Sequence, residues 1–197
     1  VNVDTFWKEH INDKEEENLN SFFWLNLINR KNDGLIIQKI ITIWIKNNNK
    51  YNKKNWQHLR VSKRVLAWIL NSDIILNNAD NHFKRLFFDS IISQVNHLKN
   101  NLNYESNPIV KIEIISVIIL SGLVFREYNK NYDLGIKKLK NIIENFFDND
   151  GFPINRNVYD LVQCSKFLVL IKECCKDAQE YIPDYLEDIV DKLVTCV

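Results

Sequence analysis

Methionine is missing altogether from the 197 residues, and glycine and proline are scarce, at four and three. With no initiator residue and Val1 as its first, the chain is expected to be a piece of a longer protein. So little glycine leaves no phosphate-cradling loop, and neither G-x-G-x-x-G nor a nucleophile elbow occurs. An excess of charge is lacking too. Lys and Arg number 26 against 25 Asp and Glu, so no global field draws nucleic acid or an acidic membrane surface. The longest apolar run, Ile114 to Phe125, is about half of what a membrane crossing needs, and Lys111 and Glu113 stand just before it. It is expected to be a buried helix. The first twenty residues are acidic and have no uninterrupted apolar core, unlike a signal peptide. For a piece of a longer chain, export stays open.

Metal-ligand spacing is also absent. Cys164, Cys174, Cys175 and Cys196 form no C-x-x-C, and no histidine follows at zinc distance. Adjacent Cys174 and Cys175 would make a strained disulfide, so buried free thiols are expected. No metal or other cofactor is expected. His58 and His97, on or beside predicted helices, are candidates for an acid or base, or else polar groups without chemistry.

What is present is apolar and helical. The chain is 46% hydrophobic and 12% aromatic, too rich for disorder. Helical periodicity predicts eight helices with short connections. They are placed at about 20–30, 35–46, 57–71, 81–102, 108–125, 133–147, 157–176 and 183–197. Gly34 is expected to end the first, Asp80 to cap the fourth, and Pro108 to open the fifth, where its missing N–H costs nothing. The second and fifth are apolar nearly all round, as inner helices are. The expected class is all-α: a curved, α/α toroid-like array of antiparallel hairpins over residues 19–197, after a flanking segment 1–18.

Two stretches could carry chemistry. In "NWQHLRVSKRVLAW", Trp56, Arg60, Arg64 and Trp68 recur every four residues and form one helical stripe. Indole faces pack on sugar rings and guanidinium binds carboxylate bidentately, so the stripe suits an acidic sugar. Equally, it describes core tryptophans with arginines paired to a neighbour's acidic groups. The second stretch, "NFFDNDGFPINRNVYD", concentrates Gly151, Pro153, Asn155, Arg156 and Asn157 in one polar loop. The lysine clusters at 50–54 and 137–140 have no regular aromatic interleaving and are expected to be solvated faces.

Taken in order, the segments resemble the helical domain of heparinase II/III-like polysaccharide lyases. "NSFFWLNLINRKNDG" is similar to the family's opening helix, and "NWQHLRVSKRVLAWI" to its Trp, Arg and W-I signature, with Trp56, Arg64 and Trp68 in matching places. "ISQVNHLKNNLNYESNPIVKIEIISVIILSGLVF" followed by "NFFDNDGFPINRN" follows the family's order of helix, loop, long apolar helix and DG loop. The resemblance implies a bacterial protein, of the periplasm or the cytoplasm, whose cleft binds an acidic polysaccharide and is completed by a downstream β-sandwich domain. With the family's domain longer than this chain, an incomplete, open arc is expected. The implied reaction is β-elimination on a uronate. Asn107 would neutralise the carboxylate, and Tyr159 would serve as base and acid. Trp56, Arg60, Arg64, Trp68, Asn155, Arg156 and Asn157 would bind the glycan. No nucleic acid or membrane partner is implied.

The chain departs from the family's pattern at several points. Where Asn-His is usual the chain has Asn107-Pro108, keeping the asparagine and losing the histidine; Pro153 replaces a second histidine, and Asn155 replaces an acidic residue. Tyr159 comes one residue early, with Asp160 in the matching place. One residue at a helix start rotates a side chain by about 100°. This form of the loop looks like a divergent branch. The alternative is a non-catalytic α/α scaffold that binds glycan or protein on its concave face.

Overall fold

The computed structural model describes residues 7, 12–28 and 34–196. These residues are all-α, as expected; no strand occurs among them, and one isolated antiparallel bridge joins Phe147 and Pro153. They divide into two compact units, residues 1–98 and 99–197.

The first unit holds α1 (Asp13–Ser21), α2 (Gly34–Asn48), α3 (His58–Leu70), the short α4 (Ser72–Ile75) and, up to Leu98, α5 (Asn81–Asn101). Helix α1 corrects the reading of the N-terminal part, where a helix was expected at 20–30. An Asn12/Glu15 capping box starts it earlier, with Asp13, Glu15 and Glu16 favourable in its positive first turn. It ends at Phe22, which adopts left-handed backbone (φ 58°), and a 3-10 turn follows over Phe23–Leu27. A phenylalanine seldom tolerates that geometry. Here its ring is fully buried, against Trp44 and Trp68 at centroid distances of 5.9 and 5.2 Å. Gly34 is not the expected left-handed stop but the first residue of α2, and the stretch just before it, 29–33, lies outside the described residues. Helix α2 is less wrapped than expected: Ile37, Ile40, Ile41, Trp44 and Ile45 are buried, but Leu35 and Ile36 face solvent. The inner helix of this unit is α3, buried at every position from Arg64 to Ile69.

The second unit is built on α6 (Pro108–Val124), with α7 (Lys130–Phe146) and α8 (Val158–Asp177) packed on it and α9 (Asp184–Cys196) on α7 and α8. Residues Ile112 through Gly122 of α6 are all buried, as its apolar run predicts. Each fully buried isoleucine or leucine contributes roughly 1.5–3 kcal/mol, so this helix dominates the unit's stability. Helices α6 and α7 approach closely through small residues. A Cβ on Gly122 would stand 2.3 Å from the Tyr132 backbone nitrogen, and one on Gly135 2.4 Å from Ile119 Cγ1. Two tyrosines tie the C-terminal part to α7. Tyr132 donates to the Tyr181 carbonyl (2.6 Å), and Tyr185 to that of Ile136 (2.7 Å). Burial raises both phenols well above their ordinary range. Cys164 and Cys175 are buried free thiols and Cys174 is a half-buried one; burial raises each.

Among the described residues no helix is long and apolar enough to cross a membrane.

Candidate functional site

The tryptophan–arginine stripe does form on one helix and the loop before it, but mostly as core. Trp68 is fully buried, its ring 5.6 Å from Trp44 and 5.3 Å from Phe87. Its indole N–H has no hydrogen-bond partner among the described residues. Arg64 is also fully buried. Its Nε donates to Gln94 Oε1 (2.6 Å), Nη1 to the Asn20 carbonyl (3.1 Å) and Nη2 to the Asn55 carbonyl (3.0 Å). Its guanidinium carbon lies 4.1 Å from the centre of the Trp44 ring. Every acceptor is neutral, so the expected pairing of the stripe's arginines with a neighbour's acidic groups is not found at Arg64. Burial, with Arg60 adding like charge, lowers its affinity for the proton. The acceptors and the ring's negative face oppose that shift and keep it a cation. Neither Arg64 nor Trp68 is within reach of a ligand. Arg60 is half-buried, and its Nη1 donates to the Lys54 carbonyl (3.2 Å).

Trp56 differs from these. It is 6% exposed and held from several sides. Its indole N–H donates to the Asn48 carbonyl (3.0 Å), and its own carbonyl accepts from His97 Nε2 (2.9 Å). The His97 ring stands edge-on to it at 5.2 Å and lies 5.8 Å from that of His58. Burial lowers the His97 pKa; the bond to Trp56 opposes this, and His58 and Arg64 reinforce it. The two histidines considered as acid or base therefore sit together in an aromatic nest.

The polar loop lies in the second unit and folds on itself. Asp148, which the sequence reading passed over, is its hub. Its Oδ1 accepts from the backbone N–H of Asp150 (3.0 Å) and Phe152 (2.9 Å), and its Oδ2 pairs with Arg156 Nη1 (2.8 Å). Those bonds, the Phe152 one foremost, hold its carboxyl below the usual range. A D-x-D-G turn was the available signal, since an aspartate at a turn's start bonds the backbone ahead of it. Gly151 takes φ +84°, and a Cβ there would lie 2.6 Å from Lys192 Cβ. Both requirements select glycine. The bridge from Phe147 to Pro153 is closed by Asp148 N–H donating to the Phe152 carbonyl (2.9 Å). Arg156 sits in left-handed backbone (φ 58°), exposed, with its guanidinium 5.6 Å from the Phe152 ring centre.

Asn155 and Asn157 are exposed but engaged. Asn155 Nδ2 donates to Asp160 Oδ2 (2.7 Å) and its Oδ1 accepts from the Asn157 N–H (3.0 Å). Asn157 caps α8, accepting from the Tyr159 N–H (2.9 Å). Tyr159, on the first turn of α8, is 66% exposed. Asn107 caps α6, its Oδ1 accepting from Ile109 N–H (2.9 Å) and Val110 N–H (3.4 Å), and its side chain is exposed. Glu105 bonds the backbone N–H of Asn107 (2.9 Å). Among the described residues no group of three or more His, Cys, Asp or Glu converges as metal ligands do.

No protein-family model, curated protein or solved structure matches the chain.

Proposed function

We propose that the chain is the helical part of a heparinase II/III-like polysaccharide lyase, an open arc of an α/α toroid that binds uronate-containing glycan. The observation that carries this reading is Asn107. Its carbonyl oxygen is bound by the first N–H groups of α6, so its amide nitrogen, a donor, is the end turned outward at an exposed helix tip. A donor there can bind the uronate carboxylate and acidify the neighbouring C5 proton. Tyr159, exposed at the start of α8, is the candidate to take that proton. As the C5–H bond breaks, the C4–O4 bond breaks too, a C4=C5 double bond forms, and the leaving O4 takes up a proton. The ordered resemblance over successive helices supports the same reading.

The test uses the full-length protein with a panel of uronate polysaccharides, followed by the ultraviolet absorbance of the unsaturated uronate. Asn107→Ser keeps a capping oxygen but loses the amide donor, so it should fold normally and lose elimination. Tyr159→Phe should do the same. Absorbance that rises equally in both variants rules out these roles, and no rise on any substrate rules out the lyase.

A second reading is a non-catalytic α/α scaffold that binds glycan or protein. It is favoured by the loop's own pairing. Arg156 is held by Asp148 and Asn155 by Asp160, so two groups expected to meet an acidic sugar already meet carboxylates of this chain.

A further inference from the structure

The first unit contains a cleft of about 190 Å³ whose lining, among the described residues, has no cation. Its apolar floor is Ile45, Leu86 and the exposed sliver of Trp56. Its polar rim is Asn49, just past the end of α2, with Asp89, Ser90 and Ser93 of α5. Leu86, Asp89, Ser90 and Ser93 follow helical spacing, so one face of α5 supplies one side of the cleft. The size decides how much can enter. Sites for drug-sized ligands run to roughly 300–1,000 Å³, so this one admits a single small ring.

We propose that this cleft binds one neutral sugar ring. Hydroxyls and an amide on the rim both donate and accept, which suits a polyol's alternating groups. The Asp89 carboxylate accepts from two neighbouring hydroxyls and repels an acidic sugar, with no cation in the lining to offset it. Trp56 contributes only a small exposed part of its surface, and its indole N–H is spent on Asn48. That contact is fixed before any ligand arrives. The backbone N–H of Trp56 donates to the Asn52 carbonyl (3.0 Å), His97 holds its carbonyl, and Arg64 holds the carbonyl of Asn55 beside it. A preformed wall loses little freedom on binding. A quaternary ammonium ligand, with no N–H to donate, would use Asp89 and the indole but leave Asn49, Ser90 and Ser93 idle. The assignment shares Trp56 with the lyase reading but not its chemistry, which rests on Asn107 and Tyr159.

The experiment follows the Trp56 indole N–H resonance of the full-length protein, identified by its loss in Trp56→Phe. It is titrated with the methyl glycosides of glucose, galactose and mannose, with glucuronate and tetramethylammonium as contrasts. At least one neutral glycoside should give a saturable shift. Asp89→Ala should weaken it about tenfold or more, the loss of its charge-assisted hydrogen bonds. Ser93→Phe, at an exposed position, should fill the cleft and abolish the shift with the melting temperature unchanged. The assignment is overturned if no neutral glycoside shifts the resonance, if glucuronate or tetramethylammonium shifts it as strongly, or if both variants bind like the parent. Elimination assayed on the same protein reports separately on the lyase reading.

Discussion

At the scale of single residues, burial separates groups that the sequence lists alike. Trp44 and Trp68 share one aromatic cluster, yet Trp44 donates to Asn20 Oδ1 (2.8 Å) while the Trp68 N–H has no partner among the described residues. An orphaned buried donor costs stability that a phenyl ring avoids. Trp68→Phe should therefore be milder than Trp44→Phe by about 1 kcal/mol in urea denaturation. Arg64→Met is the harsher change. It keeps most of the volume but strands Gln94 and the carbonyls of Asn20 and Asn55, and should cost about 3 kcal/mol or more. His97 titrates in the opposite sense from a stabilising ion pair. Its folded pKa lies below the ordinary 6.5, so between the two values the unfolded chain holds a proton that the folded one does not. That contribution is complete above the ordinary value and is lost as pH falls through the folded one. Melting temperatures taken from neutral to about pH 5 should decline, and His97→Gln should flatten the decline.

Among the helices, caps and close contacts explain what could and could not be read ahead. Asp80, Pro108 and Asn157 start helices where they stand in the sequence, because each acts on the backbone within three residues of itself. Helix α1 escaped notice because "DKEEENLNS" offers no apolar period, although the capping pair Asn12 and Glu15 was there to be seen. Its end was not legible. Left-handed Phe22 meets nearby Trp24 (5.6 Å), but its burial is completed by the distant Trp44 and Trp68. The stripe posed the same difficulty, since periodicity gives a shared face but not what the face meets. Only the packing around α3 turns Arg64 and Trp68 inward. The α6–α7 contact gives a direct test. Gly122→Ala places a methyl against backbone that has no rotamer to change, and should cost about 1–3 kcal/mol, near the upper end, in chemical denaturation. Asn157→Ala, which removes only a cap, should cost about 1 kcal/mol.

For the molecule as a whole, the near balance of 26 basic and 25 acidic residues governs how it meets a charged polymer. Without a net field, an acidic glycan is not steered from a distance. Its association rate should change by less than the roughly tenfold of a steered encounter when salt is raised from low to physiological. Stopped-flow mixing of the full-length protein with a uronate oligosaccharide reads this directly, and a collapse of the rate with salt would reveal a concentrated basic surface. The cation buried at Arg64 bears on something else, the fate of the protein in a cell. A variant there leaves the exposed loops intact but raises the fraction of chains that are unfolded at any moment, and proteases remove such chains continuously. Its phenotype would be scarcity. A survey scoring activity alone would count Arg64 among the catalytic groups, whereas a blot of protein level would show that the molecules had been destroyed before they could act.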